Sequence, residues 1–113
     1  MVKYKNVYKN EKYKDEGTEE DLEELFQNAL YRSVYKRERV AVYGRDDGTY
    51  YVGWWYGWNT FTPGEGVVYE FDPYTQDFLD WEEKYEYKYE FGRYIDIHQM
   101  ASELYEEWES RMQ

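Results

Sequence analysis

The chain has no cysteine among its 113 residues. That excludes disulfides and thiolate metal sites and favours a reducing, intracellular setting. With two prolines and eight glycines there is no linker-like stretch, so a single domain over residues 1–113 is expected. No apolar run approaches the roughly 18–20 residues that a membrane span requires, and residues 1–14 contain no apolar core of the signal-peptide kind. The expectation is a cytoplasmic protein, in the host cell cytoplasm if its source is viral. Histidine occurs once, at His98, and the three serines, Ser33, Ser102 and Ser110, all fall in helical patterns. The chain lacks a P-loop, a G-x-G-x-x-G, an H-E-x-x-H and a G-x-S-x-G. No catalytic residue, cofactor or metal is therefore assigned, and a non-enzymatic role is expected. Asp46-Asp47-Gly48 lacks the spaced ligands and closing Glu of an EF-hand, and it reads as a turn.

Aliphatic residues are also scarce: Leu, Ile, Val and Phe together number 20. Combined with a net charge of −11, such poverty usually marks a disordered chain. The rings argue otherwise. There are 16 Tyr, 5 Trp and 5 Phe, and each buried ring removes roughly 150–250 Å² from water, at about 25 cal/mol per Å². A thin, tyrosine-rich core inside an acidic shell is the expected result. Such a shell repels nucleic acid and membrane and attracts proteins with basic grooves.

The charge is unevenly distributed. Lys3, Lys5, Lys9, Lys12 and Lys14 outweigh Glu11 in residues 1–14, so the remaining 99 residues sum to −15. That basic arm reads as a disordered tail, a lysine-guarded edge strand or an internal counter-charge. A second basic patch lies at Arg32, Lys36, Arg37 and Arg39.

Along the chain, Thr18 with Asp21 resembles a capping box. Leu22, Leu25, Phe26, Ala29, Leu30 and Val34 then repeat with helical spacing. Acidic residues crowd the start of this helix and basic ones its end, as the helix dipole favours. Arg39–Gly44 and residues 49–58 read as two strands joined by an Arg45-Asp46-Asp47-Gly48 turn. Val67, Tyr69 and Phe71 begin a third strand. After a turn at residues 72–76, a return strand is expected from Phe78 to Phe91, with Tyr85, Tyr87, Tyr89 and Phe91 on one face. Asp96 with Gln99 opens a last helix carrying Ile97, Met100, Ala101, Leu104, Tyr105, Trp108 and Met112. The predicted fold is α+β: an antiparallel sheet of four to five strands, as two hairpins, with an N-terminal and a C-terminal helix packed on it.

Two constellations are candidates for function. The first is a carboxylate array. Glu19 with Glu23, Glu20 with Glu24, and Glu103 with Glu107 are i, i+4 pairs, about 5–6 Å apart on a helix surface. Glu106 lies beside the last pair, and Glu82, Glu86 and Glu90 are expected on the exposed face of the return strand. Rows of this kind offer a basic groove a charge density comparable with that of a phosphate backbone. A solvated acidic surface is the plain alternative. The second constellation is the aromatic stretch at residues 50–61, where Trp54, Trp55 and Trp58 are candidate partner anchors. Its plain alternative is a sheet covered on both faces.

In size, charge and aromatic content the chain is similar to the small acidic nucleic-acid mimics of phages, viruses and plasmids, among them anti-CRISPR and anti-restriction proteins. The likeness extends over the whole chain, and no residue motif carries it. It implies an inhibitor of a basic nucleic-acid-binding protein such as a Cas effector, a restriction enzyme or a nuclease, with no direct nucleic-acid or membrane contact. An immunity protein against a nuclease toxin has nearly the same physics. From other classes, a carbohydrate-binding module would use Trp54, Trp55 and Trp58 as a platform. A structural viral protein or homodimer would bury the ring-rich strand between subunits.

Overall fold

Thr18 opens the helical part of the chain. Its backbone N–H donates to the Asp21 carboxylate at 2.9 Å. Gly17 must lack a side chain, since a Cβ there would approach Asp21 Cβ to 2.6 Å. The computed structural model describes residues 15–55, 66–90 and 92–112. The basic arm, residues 56–61 of the aromatic stretch and Phe91 lie outside the described residues. A short β1 (Glu16–Gly17) and one 3₁₀ turn (Glu19–Asp21) lead into α1 (Leu22–Lys36), which buries the expected stripe of Leu22, Leu25, Phe26, Ala29, Leu30 and Val34.

Next come β2 (Arg39–Gly44) and β3 (Tyr50–Trp55), paired as an antiparallel hairpin in the register Val40↔Trp54, Val42↔Val52 and Gly44↔Tyr50. The turn closes as its sequence predicts. Arg45 N–H donates to Thr49 O at 2.8 Å, and Gly48 adopts φ +88°, a left-handed conformation that glycine takes without steric penalty. β4 (Val67–Phe71) pairs with β2, giving a four-stranded antiparallel sheet ordered β1-β3-β2-β4.

The return strand expected from Phe78 is corrected here. Residues Gln76–Lys84 form a helix, α2. Thr75 caps it, its hydroxyl accepting from Phe78 N–H at 3.2 Å. Phe78, Trp81 and Tyr85 recur at helical spacing with rings 5.8–5.9 Å apart. Most of the segment consists of good helix formers, so capping and propensity act together. The Tyr alternation becomes strand at β5 (Glu86–Tyr89), which pairs with β6 (Gly92–Ile95) in a separate two-stranded sheet. The second predicted hairpin, Val67–Phe71 with the return strand, does not form: β4 pairs with β2, and β5–β6 is a different hairpin outside the main sheet. The last helix, α3 (Ile97–Arg111), is capped by Asp96, whose carboxylate accepts from Gln99 N–H at 3.1 Å.

α1 and α3 pack side by side on one face of the main sheet, and Phe26 is the centre of that contact. Its ring lies 5.8 and 6.3 Å from Tyr69 and Phe71 of β4, and 5.7 and 5.6 Å from Tyr105 and Trp108 of α3. On β2, Val40, Ala41, Val42 and Tyr43 are all fully buried, so both faces of this central strand are covered. On β3, Tyr51 and Trp54 are buried as well, and Tyr51 stacks on Tyr43 at 5.3 Å. The rings of β3 thus supply core that the aliphatic residues are too few to build.

Candidate partner-binding surface

The second basic patch forms much of the scaffold around the site. Arg32 pairs with the buried Glu38 at 3.1 Å, Arg37 with Glu82 at 3.0 Å, and Arg39 with Asp72 at 3.5 Å. Ser33 Oγ donates to the Glu38 carbonyl at 3.1 Å, and Tyr74 donates to the Arg37 carbonyl at 2.7 Å. Arg37 takes φ +54° as it ends α1. Three of the four predicted basic residues are thereby neutralised by carboxylates within the fold.

Among the predicted site residues, Trp54 is placed differently from expectation. It is 7% exposed, and the Arg32 guanidinium lies 3.6 Å from the centre of its ring. It is a core residue, so the sugar or partner platform is lost at this position. The Trp55 side chain and the whole of Trp58 lie outside what the structure describes. Glu82 belongs to α2 and is largely buried against Arg37, Glu86 begins β5, and Glu90 sits in the β5–β6 turn. They do not form one row on a strand, because the strand expected to carry them is partly helix.

The helical carboxylates are brought together. Glu19, Glu20, Glu23 and Glu24 are exposed at the start of α1. α1 and α3 run antiparallel, with Phe26 near the start of one beside Trp108 near the end of the other. Glu106, Glu107 and Glu109 are therefore exposed at the same end of the molecule. Tyr105 registers this convergence. Its hydroxyl donates to Glu109 at 3.4 Å. Burial, then Glu109, then Glu19 and Glu23 push its pKa above the ordinary phenol value. Glu103 is drawn elsewhere, accepting from Tyr85 at 3.1 Å and from Gln99 at 3.0 Å. Glu107 has Arg111 at 3.8 Å.

Exposed rings occupy the opposite end. Tyr31 and Tyr35 project from the second half of α1, with centroids 5.0 Å apart. Tyr87 and Tyr94 are cross-strand partners on β5 and β6, stacked at 6.1 Å with planes 25° apart. All four are more than two-fifths exposed. Tyr35 ties the two groups together by donating to the Ile95 carbonyl at 3.2 Å, and burial pushes its pKa up. A depression of about 350 Å³ lies between Tyr31, Tyr35, Tyr94 and His98.

Sequence reasoning misses this tyrosine surface. A signal for it exists: Tyr31 and Tyr35 are four residues apart and fall outside the apolar stripe of α1. On α1, Tyr35 follows Glu24 at near-helical spacing, so acid and ring share one flank of the helix, about 16 Å apart at 1.5 Å per residue.

Among the described residues no three His, Asp or Glu side chains converge as metal ligands. In the same residues no helix is long and apolar enough to cross a membrane. The hairpin carboxylate Asp47 is occupied structurally, accepting from Thr49 N–H at 3.0 Å and from Thr49 Oγ1 at 2.6 Å. Those hydrogen bonds hold its pKa below the usual carboxylate value. No protein-family model, curated protein sequence or solved structure matches this chain.

Proposed function

We propose that this protein is a non-enzymatic, cytoplasmic inhibitor that presents carboxylates to the basic groove of a nucleic-acid-binding protein. A Cas effector, a restriction enzyme and a nuclease are the partner classes, and anti-CRISPR activity is the form to test first. The supporting observation is the placement of Glu106, Glu107 and Glu109. They crowd the last two turns of α3, where the helix dipole is negative and favours cations. The antiparallel packing also sets them beside the acidic first turn of α1. Each placement costs stability, and neither follows from the needs of the core. Of the expected anchors Trp54, Trp55 and Trp58, Trp54 is buried, and the exposed pairs Tyr31–Tyr35 and Tyr87–Tyr94 take its role. Tyrosine brings large contact area to an interface at little entropic cost.

Charge of this kind chiefly accelerates encounter, so it makes association depend steeply on salt. The test is retention of partners from host lysate on the immobilised protein. A nucleic-acid-binding enzyme should be retained, released as ionic strength rises, and displaced by duplex DNA or guide RNA. A retained nuclease toxin would make the protein an immunity factor. Retention that ignores both salt and nucleic acid would overturn the reading.

A further inference from the structure

A groove of about 270 Å³ opens between β4, α2 and α3. Phe71, Phe78 and Leu104 are buried at its floor, and Tyr69 and Trp81 remain partly open along its sides. Four carboxyl residues line it: Glu70, Asp72, Asp77 and Glu107. Two of them have guanidinium partners already, Asp72 in Arg39 and Glu107 in Arg111. Asp77 has no ion pair among the described residues. At Glu70, burial and the neighbouring Asp72 together raise the pKa, and Arg39 offsets this in part. Arg111 also bonds to Tyr69, so the groove is apolar below, aromatic at the side and, with four carboxyl groups against Arg39 and Arg111, net negative at the mouth.

We infer that this groove receives one arginine side chain from the basic partner. The inference rests on the partner class proposed above and names the group by which that partner is held. Charge complementarity selects a cation, and the partly exposed rings of Tyr69 and Trp81 select a flat one. A guanidinium stacks on an aromatic face while its N–H groups reach carboxylates. The protein makes the same kind of contact internally, with Arg32 on Trp54 at 3.6 Å and Arg45 on Tyr51 at 4.1 Å.

The test needs no partner protein. N-acetyl-arginine methylamide is titrated into the full-length protein while the Trp81 indole N–H is followed by NMR, with the neutral isostere N-acetyl-citrulline methylamide as control. The arginine probe should shift the Trp81 resonance saturably, and the citrulline probe should not. The exposed double substitution Asp77→Asn/Glu107→Gln should keep the fold and weaken the arginine probe by roughly three- to tenfold, as loss of two partly screened ion pairs implies. Equal shifts with both probes, or an arginine response that avoids Trp81, would overturn the inference. So would binding seen only after Lys3, Lys5, Lys9, Lys12 and Lys14 are all replaced by Gln, because the occupant would then be the chain itself. Success here with a salt-insensitive partner would remove the proposed function and leave the groove. A salt-sensitive partner unaffected by D77N/E107Q, with no arginine response, would do the reverse.

Discussion

The two ends of the α1–α3 pair use charge in opposite ways. At the tyrosine end, Arg32 and Arg37 each hold a carboxylate from another segment, Glu38 and Glu82, and the surface is left to rings. At the acidic end, no ion pair among the described residues joins Glu19, Glu20, Glu23, Glu24 or Glu106 to a cation. The first arrangement fastens α1 to β2 and α2. Among the described residues the second makes no such ion pair, and on α3 it works against the helix dipole. The charges paired across segments build the fold, whereas those gathered with one sign at the acidic end are the ones the proposed function assigns to a partner.

Phe26 joins α1 to β4 and α3, so its loss tests whether these elements share one core. Phe26→Ala should destabilise by about 3–5 kcal/mol, as large-to-small changes at buried rings do, and urea unfolding would measure it. A loss below about 1 kcal/mol, the usual size for an average substitution, would mean that α1 and α3 are held together by something else.

Arg32→Met tests the tyrosine end alone. It would leave Glu38 buried without its cation, at a cost of about 3 kcal/mol, read in the same unfolding experiment. A neutral result would show that Glu38 does not depend on Arg32 for its place in the fold.

The buried phenols make a prediction about pH. Burial pushes Tyr51 up to about 12 from 10.0, and burial raises Tyr35, Tyr69 and Tyr85 in the same direction. A raised phenol contributes stability that is complete below the unfolded value and is lost as pH rises through the folded one. The protein should therefore lose stability between pH 10 and 12, visible as loss of near-ultraviolet circular dichroism together with tyrosinate absorbance. Tyr51→Phe should move that transition to higher pH.

Charge reversal at the acidic end should have a smaller effect of opposite sign. Glu106→Lys with Glu109→Lys places cations where the α3 dipole favours them and relieves repulsion from α1, so stability should rise by about 0.3–1 kcal/mol. Binding to a basic partner should fall at the same time. A variant that gains stability and keeps its affinity would detach this end from function. At the other end, Tyr31→Ala with Tyr87→Ala should change stability by no more than about 0.5 kcal/mol each, as exposed positions do. Weakened partner binding with a preserved fold would assign these rings to the interface.

Much of this organisation is legible in the sequence. The α1 stripe, the Asp46-Asp47-Gly48 turn, the β2–β3 hairpin and the Asp96 cap rest on contacts within four residues or on strict periodicity. The segment after residue 75 misleads because Tyr85 to Phe91 alternates so regularly that it draws its helical neighbours into one long strand. Thr75 with Phe78, Trp81 and Tyr85 carries the helical signal, weaker because the helix it marks is short. The sequence also leaves Trp54 open between core and surface, since alternation shows that two faces exist and not what covers them.

The sequence by itself determined the acidic surplus, the presence of rings in the core, the two long helices and the central hairpin. These follow from composition, from capping side chains and from repeats of two or 3.6 residues, all of which act locally. Tertiary structure alone decided that β4 pairs with β2, that Arg32, Arg37 and Arg39 are neutralised inside the fold, and that the start of α1 meets the end of α3. Each of these joins residues far apart in the chain. Such pairings depend on how amphipathic faces stack to bury their rings, and no local pattern encodes that choice.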